Sequence, residues 1–124
     1  MLNFAVDCID HVEVFVRDLA AAQTWYREVL GLETIFQWEP EPVMIGAGGT
    51  MLALFRSREG VRESTERPHW HRVAWKIDGE GFAAAQEHLR ERGIPFRGPI
   101  DHEVTESIYF DDLDGNPLEI TTYK

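Results

Sequence analysis

The apolar positions of the chain recur first at every second residue, as they do in a half-buried strand. The predicted strand runs from about Cys8 to Val16, and its three valines at alternate positions share one face. The opposite face carries His11, Glu13 and Phe15. We expect the valine face to pack against a helix, which leaves His11 on the side of the strand away from that helix.

A helical spacing follows from Leu19 to Leu30. Asp18 is a suitable N-cap for this helix, and Gly31 is placed to end it as a C′ glycine. The apolar stripe is typical of a side that faces a core rather than of a cofactor site, and it consists of Leu19, Ala22, Tyr26, Val29 and Leu30. The first strand and this helix are therefore expected to share one core.

Three short strands are predicted after the helix. They span roughly Glu33 to Gln37, Val43 to Ile45 and Thr50 to Phe55. The glycine-rich run 46–49 lies between the last two of them. A phosphate-binding loop would need a following helix and usually a lysine, and neither is present, so a hairpin turn is predicted.

The second half of the chain repeats the first. A strand is predicted from His69 to Ile77, and a helix opened by Asp78 or Gly79 and closed by Gly93 follows it. The apolar stripe of this helix consists of Phe82, Ala85 and Leu89. The runs 20–23 and 83–86, one in each helix, both read Ala-Ala-Ala-Gln, which indicates an internal duplication.

The duplication predicts an α+β fold of two βαβββ modules within a single domain over residues 1–124. Module one covers about 6–57 and module two about 69–124. Between them, about 58–68 is charged and without periodicity, and it is predicted to be an exposed connector.

The stretch from Ile100 to Tyr123 predicts a hairpin. Two alternating runs, Glu106–Phe110 and Pro117–Tyr123, flank an acidic turn whose Asp-Gly and Gly-Asn pairs favour positive φ angles. Tyr109 is then on the first strand and Glu119 on the second. A carboxylate in the middle of a strand has to face water, a positive partner or a metal ion.

Composition narrows the class of protein. The chain has 124 residues, with 44% apolar and 27% charged side chains, as expected for one compact globular domain. Its net charge of −10 argues against nucleic acid and anionic membranes as partners. Cys8 is the single cysteine, and no leader or membrane-length apolar run is apparent. A cytoplasmic protein is therefore expected.

The hairpin resembles the C-terminal hairpin of the vicinal oxygen chelate superfamily. This superfamily includes glyoxalase I, bleomycin-resistance proteins, fosfomycin-resistance enzymes and extradiol ring-cleaving dioxygenases. The matching residues are Ser107, Tyr109, Phe110, Asp114, Gly115, Asn116 and Glu119. The resemblance implies two modules whose curled mixed sheets form a cup around a metal ion, a small-molecule substrate, and a homodimer that completes the cup.

The same stretch also resembles the extradiol dioxygenase signature. The residues that match it are His102, Ile108, Tyr109, Asp112 and Glu119, whereas Leu113 stands where a proline is usual. The resemblance implies that His102 and Tyr109 lie near the metal as acid–base and hydrogen-bonding groups. A histidine with a pKa near the usual value of about 6.5 exchanges protons readily at neutral pH. The structural alternative is a surface histidine and a tyrosine packed in the sheet.

The resemblance also implies metal ligands. His11 occupies the place of the first ligand and Glu119 that of the carboxylate, while Ala53, which the repeat aligns with Glu119, cannot ligate. His71 is the candidate third ligand. His11, His71 and Glu119 would form the two-histidine, one-carboxylate set typical of non-haem Fe(II) sites, with open positions for substrate. Fe²⁺ is favoured, Mn²⁺, Zn²⁺ or Ni²⁺ are alternatives, and the absence of a metal is the rival hypothesis.

Strand alternation favours a different residue at the third position. The apolar residues of the run 73–77 prefer the helix side, so Arg72 is expected to point into the cup. A β-bulge near Trp70 would turn His71 inward instead, with His69 as a less favoured substitute. Without that bulge the metal site lacks a ligand, and Arg72 faces Glu119 or binds an anionic group of the substrate.

Two functions from different classes follow. The first is a divalent-metal-dependent enzyme on a small oxygen-chelating substrate, in which the metal polarises the substrate oxygens. A ring-cleaving dioxygenase is slightly favoured, with a glyoxalase-type isomerase or a fosfomycin-type thiol transferase as alternatives. The second function is a metal-free protein that sequesters a small molecule, as bleomycin-resistance proteins do. The register of His71 and Arg72 discriminates between the two.

Overall fold

The computed structural model describes residues 2–5, 8–56 and 70–124. The chain divides into two compact units, Met1–Arg62 and Glu63–Lys124. The predicted connector at about 58–68 lies outside the described residues, as does His69. That the two units make a single domain stays a prediction.

The first unit is a four-stranded mixed sheet with one helix. Its elements are β1 (His11–Val16), α1 (Leu19–Leu30), β2 (Glu33–Gln37), β3 (Val43–Ala47) and β4 (Thr50–Arg56). The strand order is β1-β4-β3-β2, with β1 and β4 parallel and the other pairs antiparallel.

The second unit has the same architecture. Its elements are β5 (Val73–Lys76), α2 (Gly79–Glu91), β6 (Arg97–Asp101), β7 (Thr105–Asp111) and β8 (Pro117–Tyr123). The strand order is β5-β8-β7-β6, again with one parallel pair, β5 and β8. The predicted α+β fold of two βαβββ modules is therefore confirmed.

Each helix begins at the aspartate that the sequence places before it. The Asp18 carboxylate accepts a hydrogen bond from the backbone N–H of Ala21 at 2.8 Å, and that of Asp78 accepts one from Gly81 at 2.7 Å. Gly31 ends α1 with φ 71°, and its N–H donates to the carbonyl of Arg27. Asp78, rather than Gly79, is therefore the N-cap of α2.

In each unit, one face of the sheet is buried against the helix. Helix α1 packs on β3 and β4, and α2 packs on β8. The buried side chains of the first unit include Val14, Val16, Ala22, Tyr26, Leu52 and Leu54, and those of the second include Phe82, Leu89, Ile108, Phe110, Leu118 and Ile120. The prediction that the valine face of β1 is buried is confirmed for Val14 and Val16.

Strand β5 is shorter than predicted. It begins at Val73, which pairs with Leu118, rather than at His69. One residue before Leu118, the carbonyl of Pro117 accepts a hydrogen bond of 2.7 Å from the indole N–H of Trp70. A side chain therefore satisfies this carbonyl, and the regular backbone ladder begins only after it.

The hairpin of β7 and β8 pairs as predicted, but its connection is an ordered loop. The Asp112 carboxylate accepts hydrogen bonds from the backbone N–H groups of Asp114 and Asn116 and from the Asn116 amide. Gly115 supplies the positive φ, 84°. All three of these polar side chains are buried. The loop therefore fixes the register of Tyr109 opposite Glu119.

Neither helix in the described ranges has the length and apolar character that crossing a lipid bilayer requires.

Candidate functional site

The face of the second sheet opposite its core carries most of the predicted site residues. Glu119 on β8 pairs with Ala74 on β5 and with Tyr109 on β7. Directly paired residues point to the same side of a sheet, so these three side chains share one face. Their neighbours Leu118 and Ile120 are buried on the other face. We call the Glu119 side the polar face.

Glu119 is held by a hydroxyl. Ser107 Oγ donates to Glu119 Oε2 at 2.7 Å and lies 2.9 Å from Thr121 Oγ1. Ser107 is fully buried, whereas Glu119 is half-buried. In the part of the chain that the structure describes, no hydrogen bond to Oε1 of Glu119 is present. One carboxylate oxygen is therefore fixed and the other is available to a ligand.

Two arginines reach the same tyrosine from different segments, Arg72 from just before β5 and Arg97 from β6. The guanidinium carbons of Arg72 and Arg97 each lie 4.8 Å from the centre of the Tyr109 ring, a distance at which a cation is attracted to an aromatic face. Among residues 2–5, 8–56 and 70–124, no carboxylate lies within ion-pair distance of either guanidinium. The polar face therefore has two cations without an anionic partner in the described chain.

The Tyr109 hydroxyl is hydrogen bonded to a histidine. His102 Nε2 lies 2.6 Å from Tyr109 Oη, and the two rings are nearly perpendicular. The backbone N–H of His102 donates to the carbonyl of Thr105, which anchors the histidine just before β7. Phenol and imidazole can each donate or accept this bond, so the tautomer of His102 decides which ring is the donor.

His11 lies in the first unit, on β1. Its Nδ1 is 2.8 Å from the Asp10 carboxylate and its Nε2 is 3.0 Å from that of Glu13. These hydrogen bonds, that of Asp10 foremost, raise the pKa of His11 above the ordinary 6.5. The imidazole is therefore engaged at both nitrogens by carboxylates of its own unit.

The two units can be compared position by position through their parallel strand pairs. Glu13 pairs with Ala53 in the first unit, and Ala74 pairs with Glu119 in the second. The repeat aligns Ala53 with Glu119, and the ladders agree with that alignment. Each unit therefore has one carboxylate in this residue pair. It is Glu13 on β1 in the first unit and Glu119 on β8 in the second.

The same comparison assigns a counterpart to His11. His11 lies two residues before Glu13 on β1. Arg72 lies two residues before Ala74, which occupies the matching position on β5. Arg72 and His71 are both exposed and both precede β5, but only for Arg72, of these two, does the structure show a contact with the Tyr109 ring. The structure therefore places Arg72 on the polar face, as strand alternation predicted.

The predicted metal ligands come from both units, with His11 in the first and His71 and Glu119 in the second, and that they form a metal site stays a prediction. Within residues 2–5, 8–56 and 70–124, no group of three or more His, Cys, Asp or Glu side chains is arranged to hold a metal ion. On the polar face Glu119 is accompanied by two guanidiniums, which cannot ligate a cation. Residues 70–124 of the second unit by themselves therefore do not fit a metal site.

Sequence reasoning missed Arg97 and the role of Ser107. Arg97 pairs with Tyr109, but a register shift between Arg97 and Ile100 interrupts the alternation of β6. A two-residue period could therefore not identify its face. Ser107 was named as a residue that matches the hairpin motif, but its hydrogen bond to Glu119 was not predicted. Its position two residues before Tyr109 was the available signal, because alternate residues of a strand share one face.

Comparison with known proteins identifies a family and relatives. A family model described as Glyoxalase/Bleomycin resistance protein/Dioxygenase superfamily matches residues 8–120. Metallothiol transferase FosB of Staphylococcus haemolyticus (strain JCSC1435) is 28% identical over 116 residues, which are 92% of this chain and 82% of the relative. Biphenyl-2,3-diol 1,2-dioxygenase 2 of Rhodococcus globerulus is 27% identical over 119 residues, which span 89% of this chain and 60% of the relative.

A solved structure agrees with the fold. The genomically encoded fosfomycin resistance protein FosX of Listeria monocytogenes superposes with a TM-score of 0.79 at 16% identity. The match covers 97% of this chain and 94% of that one. At this identity the likeness shows the fold alone.

Proposed function

The chain belongs to the glyoxalase/bleomycin resistance protein/dioxygenase superfamily, and from that premise we propose that its polar face binds a small molecule carrying an anionic group. The ligand's anion is a carboxylate, phosphonate or phosphate held by Arg72 and Arg97. A hydroxyl or amino group on the same ligand donates a hydrogen bond to Glu119. The His102–Tyr109 pair supplies or accepts a proton beside the ligand.

The observation that carries this proposal is the pair of guanidiniums beside Tyr109. Each lies 4.8 Å from the ring centre, and neither is neutralised by a carboxylate within the described ranges. A planar guanidinium binds carboxylate and phosphate oxygens through two parallel hydrogen bonds. The chain as a whole carries a net charge of −10, so two guanidiniums without acidic partners in the described ranges form a positive patch on a negative protein. Such a patch attracts an anion.

Ser107 and Glu119 add a second recognition element. Ser107 Oγ fixes one oxygen of the Glu119 carboxylate at 2.7 Å. A carboxylate accepts hydrogen bonds and donates none when it is ionised. Glu119 therefore selects a ligand that has a donor next to its anionic group, such as a 2-hydroxy acid.

Calorimetric titration with three matched aromatic ligands tests this proposal. Mandelate has both a carboxylate and a neighbouring hydroxyl, mandelamide lacks the charge, and phenylacetate lacks the hydroxyl. Metal-free protein should bind mandelate most tightly. Arg72→Gln or Arg97→Gln should weaken mandelate by about tenfold, because a charge-assisted hydrogen bond at a partly exposed site contributes roughly 1.5 kcal/mol.

Arg27→Gln is the matched control. Arg27 lies in the last turn of α1 in the first unit, and its substitution changes the net charge by the same amount. It should leave mandelate affinity unchanged. Equal affinity for mandelate and mandelamide, or an equal loss in the Arg27→Gln control, would contradict recognition by the two arginines.

A metal-dependent enzyme is the second candidate, favoured by the hydrogen bond between His102 and Tyr109. In this candidate His11, His71 and Glu119 hold a divalent ion, and Fe²⁺ is the favoured one. His11 belongs to the first unit, whereas His71 and Glu119 belong to the second. A bound metal ion would polarise two oxygens of the substrate. His102 would carry the proton in a ring-cleaving dioxygenase, with isomerase and thiol transferase chemistry as the alternatives.

Metal analysis of protein purified without a histidine tag separates the candidates. In the metal-dependent case, Fe(II)-loaded protein consumes oxygen with a catechol, and His102→Ala lowers turnover by about a hundredfold or more without loss of metal. His11→Ala should then lose the metal itself. Protein that takes up no divalent ion during reconstitution would leave the anion-binding function alone.

A homodimer is proposed for either candidate. Exposed apolar side chains in both units, among them Ile35 and Tyr123, leave surface that association can cover. Light scattering at micromolar concentration tests this, and a monomeric mass would contradict it.

A further inference from the structure

Lys124 holds the turn that carries His102. Residues 102–104 connect β6 to β7. The Lys124 ammonium donates to Asp101 Oδ1 at 2.6 Å, at the end of β6, and the Lys124 backbone N–H donates to the carbonyl of Val104 at 3.0 Å. One residue therefore fixes this turn on both of its sides, through its side chain and through its backbone.

The backbone of this turn is strained at Glu103. The Val104 N–H donates to the carbonyl of His102, two residues earlier, at 2.9 Å, and Glu103 between them has φ 73°. A γ-turn with positive φ at its centre is rare and unfavourable for a residue that has a side chain. Among the described residues other than glycine, Glu103 alone has a positive φ. Such a conformation persists only where the surrounding structure fixes it.

Asp101 connects the cation to the strained residue. Its Oδ1 accepts one hydrogen bond from the backbone N–H of Glu103 at 2.7 Å and another from the ammonium of Lys124. These bonds, that of Lys124 foremost, lower the pKa of the Asp101 carboxyl below its ordinary value. The carboxylate is therefore ionised at neutral pH, and Lys124 orients the same oxygen that fixes Glu103.

The strained conformation determines where the imidazole of His102 lies. His102 immediately precedes Glu103, and its Nε2 lies 2.6 Å from Tyr109 Oη. Because β6 and β7 are paired on either side of the turn, a change of φ at Glu103 has to be compensated by neighbouring backbone torsions, those of His102 among them. Relaxation of the turn should therefore displace the imidazole from Tyr109.

We propose that Lys124 is a positioning residue, which keeps the turn 102–104 in its strained conformation and so keeps His102 hydrogen bonded to Tyr109. The side chains of Asp101 and Lys124 are 68% and 40% exposed. An ion pair so exposed is screened by salt and adds little to global stability, so its effect is confined to the turn. The consequence for a bound ligand rests on the proposed function, whereas the placement of His102 does not.

NMR spectroscopy of the ligand-free protein tests this placement. The nitrogen resonances of the His102 imidazole report its hydrogen bond to Tyr109. Tyr109→Phe, which lacks the hydroxyl, supplies the resonance position of the unbonded ring. Hydrogen exchange of the Glu103 and Val104 amides reports how often the turn opens.

Three variants of Lys124 grade the contact. Lys124→Met removes the ion pair but keeps the backbone N–H, and it should accelerate both exchange rates by about threefold at low salt. Lys124→Pro also removes the N–H. It should accelerate the exchange by about tenfold and move the His102 resonance toward its position in Tyr109→Phe. Lys124→Arg keeps a cation and should give wild-type values.

Two further variants serve as controls. Arg90→Met removes one positive charge from α2, which packs on the buried face of the second sheet, and should change neither measurement. In Glu103→Gly the positive φ is no longer unfavourable, so Lys124→Met should have a smaller effect in that background than in the wild type.

Two outcomes would overturn the proposal. The first is that Lys124→Pro changes neither the exchange rates nor the His102 resonance. The second is an equal effect of Lys124→Met and Arg90→Met, because the charge of the whole protein would then be the cause. Mandelate titration into the wild type succeeds or fails independently of these measurements, so failure of the positioning role and failure of the proposed function give different results.

Discussion

The two units of this protein are alike on their buried faces and different on the opposite ones. Leu52 and Leu118 occupy matching positions in the parallel pairs and are 1% and 0% exposed. On the other face the first unit has an acidic, aromatic groove, whose lining includes Asp10, Glu13 and Trp38, whereas the second has guanidiniums, hydroxyls and one carboxylate. Packing against a helix restricts what a buried position accepts, and the face without a helix is free to carry different chemistry.

The hairpins of the two units differ in the same way. In the first unit, Ala47 pairs with Thr50, so the turn is the two residues Gly48 and Gly49, with φ 61° at Gly48. In the second unit, five residues connect the strands, and the buried Asp112 organises them. The longer loop stabilises the strand pair that carries the polar face.

The largest expected effect tests whether the buried faces are equivalent. Leu52→Ala and Leu118→Ala should each reduce the free energy of unfolding by about 2–5 kcal/mol, because each removes a fully buried aliphatic side chain and leaves a cavity. Chemical denaturation measures both. A loss below 1 kcal/mol in one unit and a large loss in the other would show that the two cores are not equivalent.

The next effect concerns the ordered loop. Asp112→Ala should reduce the free energy of unfolding by about 2–3 kcal/mol, since it leaves buried N–H donors of Asp114 and Asn116 without their acceptor. Asp111→Ala at the exposed neighbouring position is the control and should change it by less than about 0.5 kcal/mol. Equal losses in the two variants would mean that the charge of the loop, not its hydrogen bonding, matters.

The smallest effect concerns the acidic surroundings of His11. Its pKa should lie above 6.5, and Asp10→Asn should lower it more than Glu13→Gln does. Because the folded-state pKa is raised, any stabilisation from this contact is fully present below pH 6.5 and is lost as the pH rises through the raised pKa. An NMR titration of the imidazole resonances measures the value, and a pKa at or below 6.5 would contradict the contact.

Much of the framework was predictable because it depends on local patterns. The bounds of α1 and β2, the caps Asp18 and Gly31, and the hairpin with Tyr109 on its first strand and Glu119 on its second are confirmed. Each follows from a cap, a periodic stripe or a hairpin, whose residues are close in sequence. The family was also identifiable, since the hairpin motif carries it.

What could not be predicted depends on contacts between distant segments. The late start of β5 depends on a hydrogen bond from Trp70 to Pro117, 47 positions apart. Arg97 joins the polar face across a register shift that its own sequence does not mark. Trp38 lies beyond the end of β2, where no strand period applies, so its place in the groove could not be deduced from alternation.

The central claim is that Arg72 occupies in the second unit the position that His11 occupies in the first, and that it makes the polar face an anion site. Arg72→His gives both units the same residue there, so calorimetric titration of mandelate and mandelamide into metal-free wild-type and Arg72→His protein tests the claim directly. We expect the wild type to prefer mandelate by about tenfold and the variant to lose that preference. A variant that keeps the preference, or a wild type that shows it only after a divalent ion is added, would contradict the claim.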